Sequence, residues 1–492
     1  MNAAFNGNGH SNGHANGTAP MVATTPGIPE SKVMFQTHEG VKLQGGISSV
    51  SQHAIIFELC QPSVIPKLSE TLGQFKIVFQ EQVLYSGRAV VCNVTDNGTK
   101  FLCEATLEQV HWLNLDYALD PRRCSGYVQE IKSFVHDWQK LYRVLPEFKI
   151  IVVDLQTFLH DVQLWLEKTE LGIQAAPPDE RVGLERETLK QLEPVIMPML
   201  NQLFERFETV CEGIDEAQAP AHRAFCHRQL HPFLLCAPFM NRIYTKPLGY
   251  AGDYEMIDMI MRNGYEGRSL FAKLLHSYII DQAPARSVRN RGAYFTRKFV
   301  EETCRVANTG RIAKFFSLGC GPAREVQNFM AEHPLSNKTQ FQLLDFNEET
   351  LAHTGKIMEQ ARREYGRQTP VTMVRKSVNQ LLKEVHKSAV GGGRHDFIYC
   401  SGLYDYLNDQ VCKQLNTHLY DQLSPGGMLV VTNFDRSNPI QNIMEYMFEW
   451  FLIHRNSQEM TRLAPDQAAA DDCAVIADDT GCNVFLEVRK PS

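Results

Sequence analysis

Hydrophobic and polar positions change their period twice along this chain. Over residues 33–107 apolar positions alternate with polar ones, as in Phe75-Lys76-Ile77-Val78-Phe79 and Val83-Leu84-Tyr85, and turn residues such as Gly45-Gly46 and Asn97-Gly98 separate the runs. A period of two puts one face of each strand in a core, so residues 31–115 are expected to form a small antiparallel β-barrel or sandwich. Within residues 116–240 the period becomes helical. Phe148, Ile151, Leu155, Phe158, Leu159, Val162 and Leu166 recur at three- and four-residue steps, and Leu189, Leu192, Ile196, Leu200, Leu203 and Phe204 repeat the stripe after Pro177-Pro178. Two long helices packed as a hairpin would bury both stripes. A coiled-coil dimer is the alternative, but the heptads are short. From residue 311 onward short apolar runs alternate with helical stretches, as a doubly wound α/β sheet requires. Strands are predicted at 313–318, 341–344, 371–374, 397–400, 428–432 and 484–488.

Two of these strands end in residues suited to a nucleoside. The run Phe315-Phe316-Ser317-Leu318-Gly319-Cys320-Gly321-Pro322-Ala323-Arg324-Glu325-Val326 closes an apolar strand with a Gly-x-Gly turn and opens a helix. The next strand, Gln340-Phe341-Gln342-Leu343-Leu344-Asp345, ends in an acid placed to accept hydrogen bonds from a ribose diol. A nicotinamide dehydrogenase would want a third glycine where this chain has Pro322 and Ala323. The pair of motifs resembles class I S-adenosylmethionine-dependent methyltransferases instead. That resemblance implies S-adenosylmethionine as cofactor, with Gly319, Gly321 and Pro322 under its methionine part and Asp345 with Phe346 at the ribose. It also implies Ser377 and Val378 at the adenine, Ser401 and Gly402 beside the reactive methyl, and an antiparallel final strand at 484–488. The loop Ser401-Gly402-Leu403-Tyr404 departs from the Asn/Asp-Pro-Pro-Tyr/Phe of amino-group and DNA-base methyltransferases.

Composition narrows the setting. A chain of 492 residues exceeds one core, so two or three domains are expected. A formal charge of -7 offers no basic footprint for nucleic acid or anionic membrane. Thirteen cysteines without a Cys-x-x-Cys pair or Cys/His cluster speak against a disulfide framework and a metal site. Residues 1–30, rich in Asn, Gly, Ala, Thr and Pro, read as a flexible tail. No run is long and apolar enough to span a bilayer and no secretion signal opens the chain, so a cytoplasmic protein is expected.

Further chemistry flanks the sheet. Lys246-Pro247-Leu248-Gly249-Tyr250-Ala251-Gly252-Asp253-Tyr254-Glu255 reads either as a structural turn or as a lid, and Arg286, Arg289 and Arg291 read as a solvated helix face before a carboxylate clamp. The stretch from Ile443 to Arg455 is apolar nearly all round and reads as one buried helix ending in His454 and Arg455. The motifs Gly249-Tyr250-Ala251-Gly252-Asp253-Tyr254, Ser317-Leu318-Gly319-Cys320-Gly321-Pro322, Tyr399-Cys400-Ser401-Gly402-Leu403-Tyr404 and Thr432-Asn433-Phe434 together resemble bacterial biosynthesis proteins for 3-hydroxypalmitic acid methyl ester, a quorum signal. The resemblance covers residues 241–488, the domain counted here as 241–492. It implies O-methylation of a fatty-acid carboxyl, with Tyr254, Tyr404, Asn433, His454 and Arg455 as candidate substrate contacts. A carboxylate is already ionised at neutral pH, so no catalytic base is assigned. The first segment resembles a degenerate PilZ domain, with Gly46-Ile47-Ser48-Ser49-Val50-Ser51 near that family's phosphate turn. Its paired arginines are missing, so a regulatory partner or self-association is expected of it rather than nucleotide binding. Another small carboxyl or hydroxyl acceptor, or a cofactor sensor without turnover, are the alternatives.

Overall fold

The computed structural model describes residues 31–108 apart from 52, 61, 63, 80, 81 and 97–99, then residue 112, residues 144–385 and residues 395–492. The expected tail and residues 116–143 of the expected helical region lie outside these. Six antiparallel strands, β1 (Ser31–Gln36), β2 (Lys42–Val50), β3 (Ala54–Leu59), β4 (Thr71–Phe79), β5 (Gln82–Asp96) and β6 (Phe101–Leu107), close a barrel in the order β1-β2-β3-β6-β5-β4. The alternating apolar positions point inward, and Phe35, Phe57, Phe75 and Tyr85 fill the interior. Between barrel and sheet, α1 (Pro146–Gln174) and α2 (Pro178–Cys211) pack as the expected hairpin, and the stripe positions Phe148, Ile151, Leu155, Leu159, Leu189, Leu200 and Phe204 are buried. Short helices α3 (Ala219–Leu234), α4 (Pro238–Thr245), α5 (Tyr254–Arg262) and α6 (Leu270–Ile280) lead to the long α7 (Ala283–Ala307).

The C-terminal sheet is doubly wound. Its strands are β7 (Ala313–Leu318), β8 (Thr339–Asp345), β9 (Val371–Arg375), β10 (His395–Cys400), β11 (Leu423–Phe434), β12 (Cys473–Ala477) and β13 (Asn483–Arg489), in the order β12-β13-β11-β10-β7-β8-β9. β9, β8, β7, β10 and β11 run parallel, and β13 pairs antiparallel with β11 as expected. The connecting helices are α8 (Arg324–Glu332), α9 (Glu348–Glu364), α10 (Val378–Val385), α11 (Asp409–Asp421), α12 (Gln441–Phe448) and α13 (Ser457–Arg462). Side chains of β7 alternate between two layers: Phe315 joins a cluster around Phe299 of α7, whereas Phe316 and Leu318 face the opposite one. Phe299 is fully buried against Phe315, Phe329, Phe341, Phe397 and Tyr399.

Two readings of the sequence are corrected here. The short, half-exposed β12 was not foreseen, because its five residues, Cys473 to Ala477, are all small or apolar and carry no polar alternation. The buried helix expected up to Arg455 stops at Phe448, where Glu449 turns left-handed at φ 51°. The turn is fixed by charge. Its carboxylate accepts from Arg88 Nη1 of β5 at 2.5 Å and Thr106 Oγ1 of β6 at 2.8 Å, while Lys246 Nζ donates to Phe448 O at 3.2 Å. Burial alone would push the Glu449 carboxyl up; Arg88, His227 and Lys246 outweigh it and hold the group well below the usual carboxylate range.

Removing one member of a buried pair leaves the other desolvated and uncompensated, so Arg88→Met is expected to cost about 3–5 kcal/mol in urea unfolding. Because the native carboxyl titrates below its unfolded value, Glu449 contributes fully above about pH 4.3 and its contribution fades as pH falls from there toward the lower native value. Arg88→Met should therefore lose less stability relative to the parent at acid pH than at pH 7, as paired urea titrations would show.

Candidate functional site

In an open parallel sheet a ligand lies beyond the carboxyl ends of the strands, and there one cavity opens. β7 leaves its last residue into Gly319 at φ +68° and Gly321 at φ +51°, conformations that a side chain resists. A Cβ built on Gly321 would meet nothing within 4 Å, so the bare backbone faces open space. Opposite it, the Asp345 carboxylate at the end of β8 accepts from Gly321 N at 3.1 Å and from Asn347 N at 2.9 Å. The two strand ends are also joined through Cys320 N to Leu344 O at 2.9 Å. Burial pushes the Asp345 carboxyl above its ordinary value, and the amides of Asn347, Gly321 and Phe346 with the Lys67 charge counter this only in part.

Gly319, Gly321, Pro322, Asp345, Phe346, Val378, Ser401 and Gly402 all line this cavity. Ser377 does not. Its hydroxyl accepts from Gln380 N at the start of α10, and Lys376 lines the cavity beside it. Of the five residues considered for substrate, Tyr254 alone lines the wall, with its hydroxyl donating to Glu349 at 2.7 Å. The others lie outside it because tertiary hydrogen bonds occupy them. Tyr404 donates to Asn416 at 2.6 Å, and Asn433 Nδ2 donates to Phe434 O and Ile453 O. His454 sits in the interior beside Asn438. Arg455, 2% exposed, donates to Tyr404 O, Leu407 O, Asn433 and Asp409, tying together chain segments that the corrected end of α12 brings near.

The segment before the sheet covers the cavity. Asp253 caps α5 by accepting from Met256 N at 2.9 Å and also takes Arg242 Nε at 2.7 Å. Gly252 at φ +82° lies against Tyr406, whose hydroxyl donates to Ala251 O at 3.1 Å and accepts from Trp450 Nε1 at 2.8 Å. Tyr250, Ala251, Gly252 and Tyr254 thereby form part of the wall. Beyond them the cavity continues into an apolar lobe lined by Phe239, Ile243, Ile260, Ile279, Ile443 and Phe448.

Arg291, read from the sequence as part of a solvated helix face, is instead buried. It lies on α7 where that helix passes from the helical core, through Ala285 and Val288, to the sheet core, through Phe295 and Phe299. Its side chain is 6% exposed, lines the cavity, and makes no hydrogen bond or ion pair with any described residue. A Cβ on Gly402 would lie 3.2 Å from its Nη1. Asp405 and Glu325 share the neighbourhood, but Asp405 accepts from Phe434 N, and Glu325 accepts from Tyr399. Burial pushes Asp405 up to about 6 and Glu325 upward as well, while burial pulls Arg291 down. Five unmet donors in a buried cation call for an anion from outside the chain. The signal was present in the sequence as an arginine inside the apolar stripe Val288, Arg291, Phe295, Phe299. Lys67, His38 and Glu70 of the barrel also line the cavity, and no local pattern announces them.

No protein-family model matches this chain, and no curated protein matches it in sequence. Solved structures do show likeness. A possible exported protein from Bordetella parapertussis aligns at 15% identity and TM-score 0.42, over 65% of this chain and 100% of that one. Magnesium protoporphyrin IX methyltransferase from Synechocystis with bound SAH aligns at 10% and 0.32, over 51% and 99%. The N-methyltransferase NodS from Bradyrhizobium japonicum, in complex with S-adenosyl-L-homocysteine, aligns at 11% and 0.29, over 49% and 98%. These scores are low, and the class of the protein rests on its own strand order: a doubly wound sheet with an antiparallel strand inserted beside β11 and a cavity at the parallel strand ends.

An unpaired buried cation costs stability that an apolar side chain of similar length would not. Arg291→Met is expected to stabilise the ligand-free protein by about 1–3 kcal/mol. Thermal unfolding of the two proteins would show it as a raised Tm, and an unchanged or lowered Tm would mean that the guanidinium is already compensated.

Proposed function

We propose that this chain is a cytoplasmic S-adenosylmethionine-dependent O-methyltransferase that esterifies the carboxyl group of a hydroxylated long-chain fatty acid, giving a methyl ester of the quorum-signal type. The observation that carries this reading is a single cavity with two unlike ends, a bare glycine turn facing an acid at one and an apolar lobe at the other, with a buried unpaired arginine in its wall.

The residues present suit the cofactor. Open backbone at Gly321 leaves room for close approach, and the Asp345 carboxylate, fixed by two backbone amides, can accept from a ribose diol. Phe346 and Val378 offer apolar surfaces to an adenine. When bound, S-adenosylmethionine supplies an electrophilic methyl group on a sulfonium centre. The chain's own part is to hold and orient. Arg291 can hold a carboxylate by paired hydrogen bonds, whether that of the cofactor's amino-acid end or that of the acceptor. The apolar lobe aligns an acyl chain and excludes water, which favours a step in which opposite charges neutralise one another. An ionised acceptor needs no proton removed, and the wall carries aromatic and methionine side chains such as Tyr250, Trp450 and Met444.

Asp345→Ala is expected to reduce affinity for S-adenosylhomocysteine at least about 100-fold by calorimetry, since a charged double hydrogen bond to the ribose would be lost. With methyl-labelled S-adenosylmethionine, the parent should transfer label to 3-hydroxy fatty acids as a base-labile ester extracted into organic solvent. Label appearing only in polar products, or binding without transfer to any acid tested, would overturn the assigned acceptor.

A further inference from the structure

The barrel does more than precede the catalytic sheet. Its β3–β4 connection joins two strands that do not pair with each other, and it reaches the cavity with Lys67, Leu68 and Glu70, joined by His38 from the β1–β2 turn. Buried Glu70 braces the two loops. One carboxylate oxygen accepts from His38 N at 2.8 Å and lies 2.7 Å from His38 Nδ1, and the other accepts from Lys67 N at 2.8 Å. So braced, the loops surround Phe346, the residue after Asp345. The His38 ring meets it edge-on at 4.9 Å, Tyr250 lies at 5.2 Å, and the Lys67 ammonium stands 5.3 Å over its centroid. Lys67 is only 18% exposed, and its nearest carboxylate, Glu39, is 3.7 Å away.

Three attachments hold this edge of the barrel against the sheet domain. Ser69, forced to φ 60°, donates to Phe451 O at 2.9 Å and accepts from Phe451 N. Thr71 N donates to Gly249 O at 2.8 Å, and Gly249 is packed so tightly that a Cβ there would meet His38 Cβ at 2.9 Å. Arg88 bridges to Glu449 and to Tyr244 O. The barrel interior is already filled by its own apolar side chains, so none of these polar groups serves the barrel core.

We propose that the barrel completes the cofactor site within the same chain, the braced β3–β4 loop presenting Lys67 as a charged hydrogen-bond donor to the nucleoside held at Asp345 and Phe346. This rests on the reading of Asp345 as the ribose acceptor. Lys67 stands over the Phe346 ring, so the nucleoside is the part of the cofactor it would meet.

The full chain and its Lys67→Met and Lys67→Arg variants would be titrated calorimetrically with S-adenosylhomocysteine and with 5′-methylthioadenosine, which keeps the nucleoside and lacks the amino-acid carboxylate. Lys67→Met is expected to weaken both ligands about tenfold and by the same factor, with Tm unchanged and most affinity restored in Lys67→Arg. Affinities within twofold of the parent overturn the proposal, as does a loss confined to S-adenosylhomocysteine. If Lys67→Met does not fold, Lys67→Gln is judged by the same two ratios. Tight binding that Asp345→Ala abolishes but Lys67→Met leaves intact rejects the barrel contact alone; a parent that binds neither ligand rejects the cofactor reading, and the barrel contact with it.

Discussion

The ion pair between Glu449 and Arg88 is the constraint on which the arrangement of this molecule turns. A carboxylate taken out of water is costly unless its charge is answered and its oxygens are hydrogen-bonded, and here one oxygen is answered by β5 and the other by β6. Satisfying it requires the chain to leave the α12 helix in a left-handed turn. That turn sends Trp450 into the cavity wall and Phe451 to Ser69. It also delivers Arg455 to Tyr404, Leu407 and Asn433, below the strand ends rather than into the cavity. One buried pair thus attaches the barrel, ends a helix and shapes the mouth of the site.

The cavity is built on the opposite logic. The Glu449 carboxylate is answered by Arg88, whereas Arg291, equally buried, has no partner among the described residues. Its two acidic neighbours are each engaged by another donor and pushed toward protonation. Groups left in this state lower stability and are retained where a ligand meets them. The contrast separates polar residues that hold the fold from polar residues that face a ligand, and it separates Arg455 from Arg291, although both are buried arginines close to the fourth parallel strand.

Much of the fold was legible in the chain because its periods are local. The two-residue alternation gave barrel strands, the three- and four-residue stripes gave the helical hairpin, and all six sheet strands expected from short apolar runs exist, β7 as expected and the others extended by one to five residues at one or both ends. The glycine turn and Asp345 were legible too, since strand, turn, helix and acid lie within about thirty residues of one another. Not legible were β12, whose five residues are all small or apolar and so show no alternation, and the end of α12, where an uninterrupted apolar run concealed a turn imposed by a partner some 360 residues earlier.

The sequence by itself determined which segments form strands and helices, and that a bare turn and an acid stand at neighbouring strand ends, because backbone conformation and side-chain period are written within a few residues. Only the tertiary structure decided which polar side chains are left without partners. Arg455 and Asn433 are spent on backbone groups and Tyr404 on the Asn416 side chain, Arg291 is not, and the barrel loop with Lys67 reaches Phe346 across hundreds of residues of chain. Whether a buried charge is answered depends on everything that folds against it, and no local pattern carries that sum.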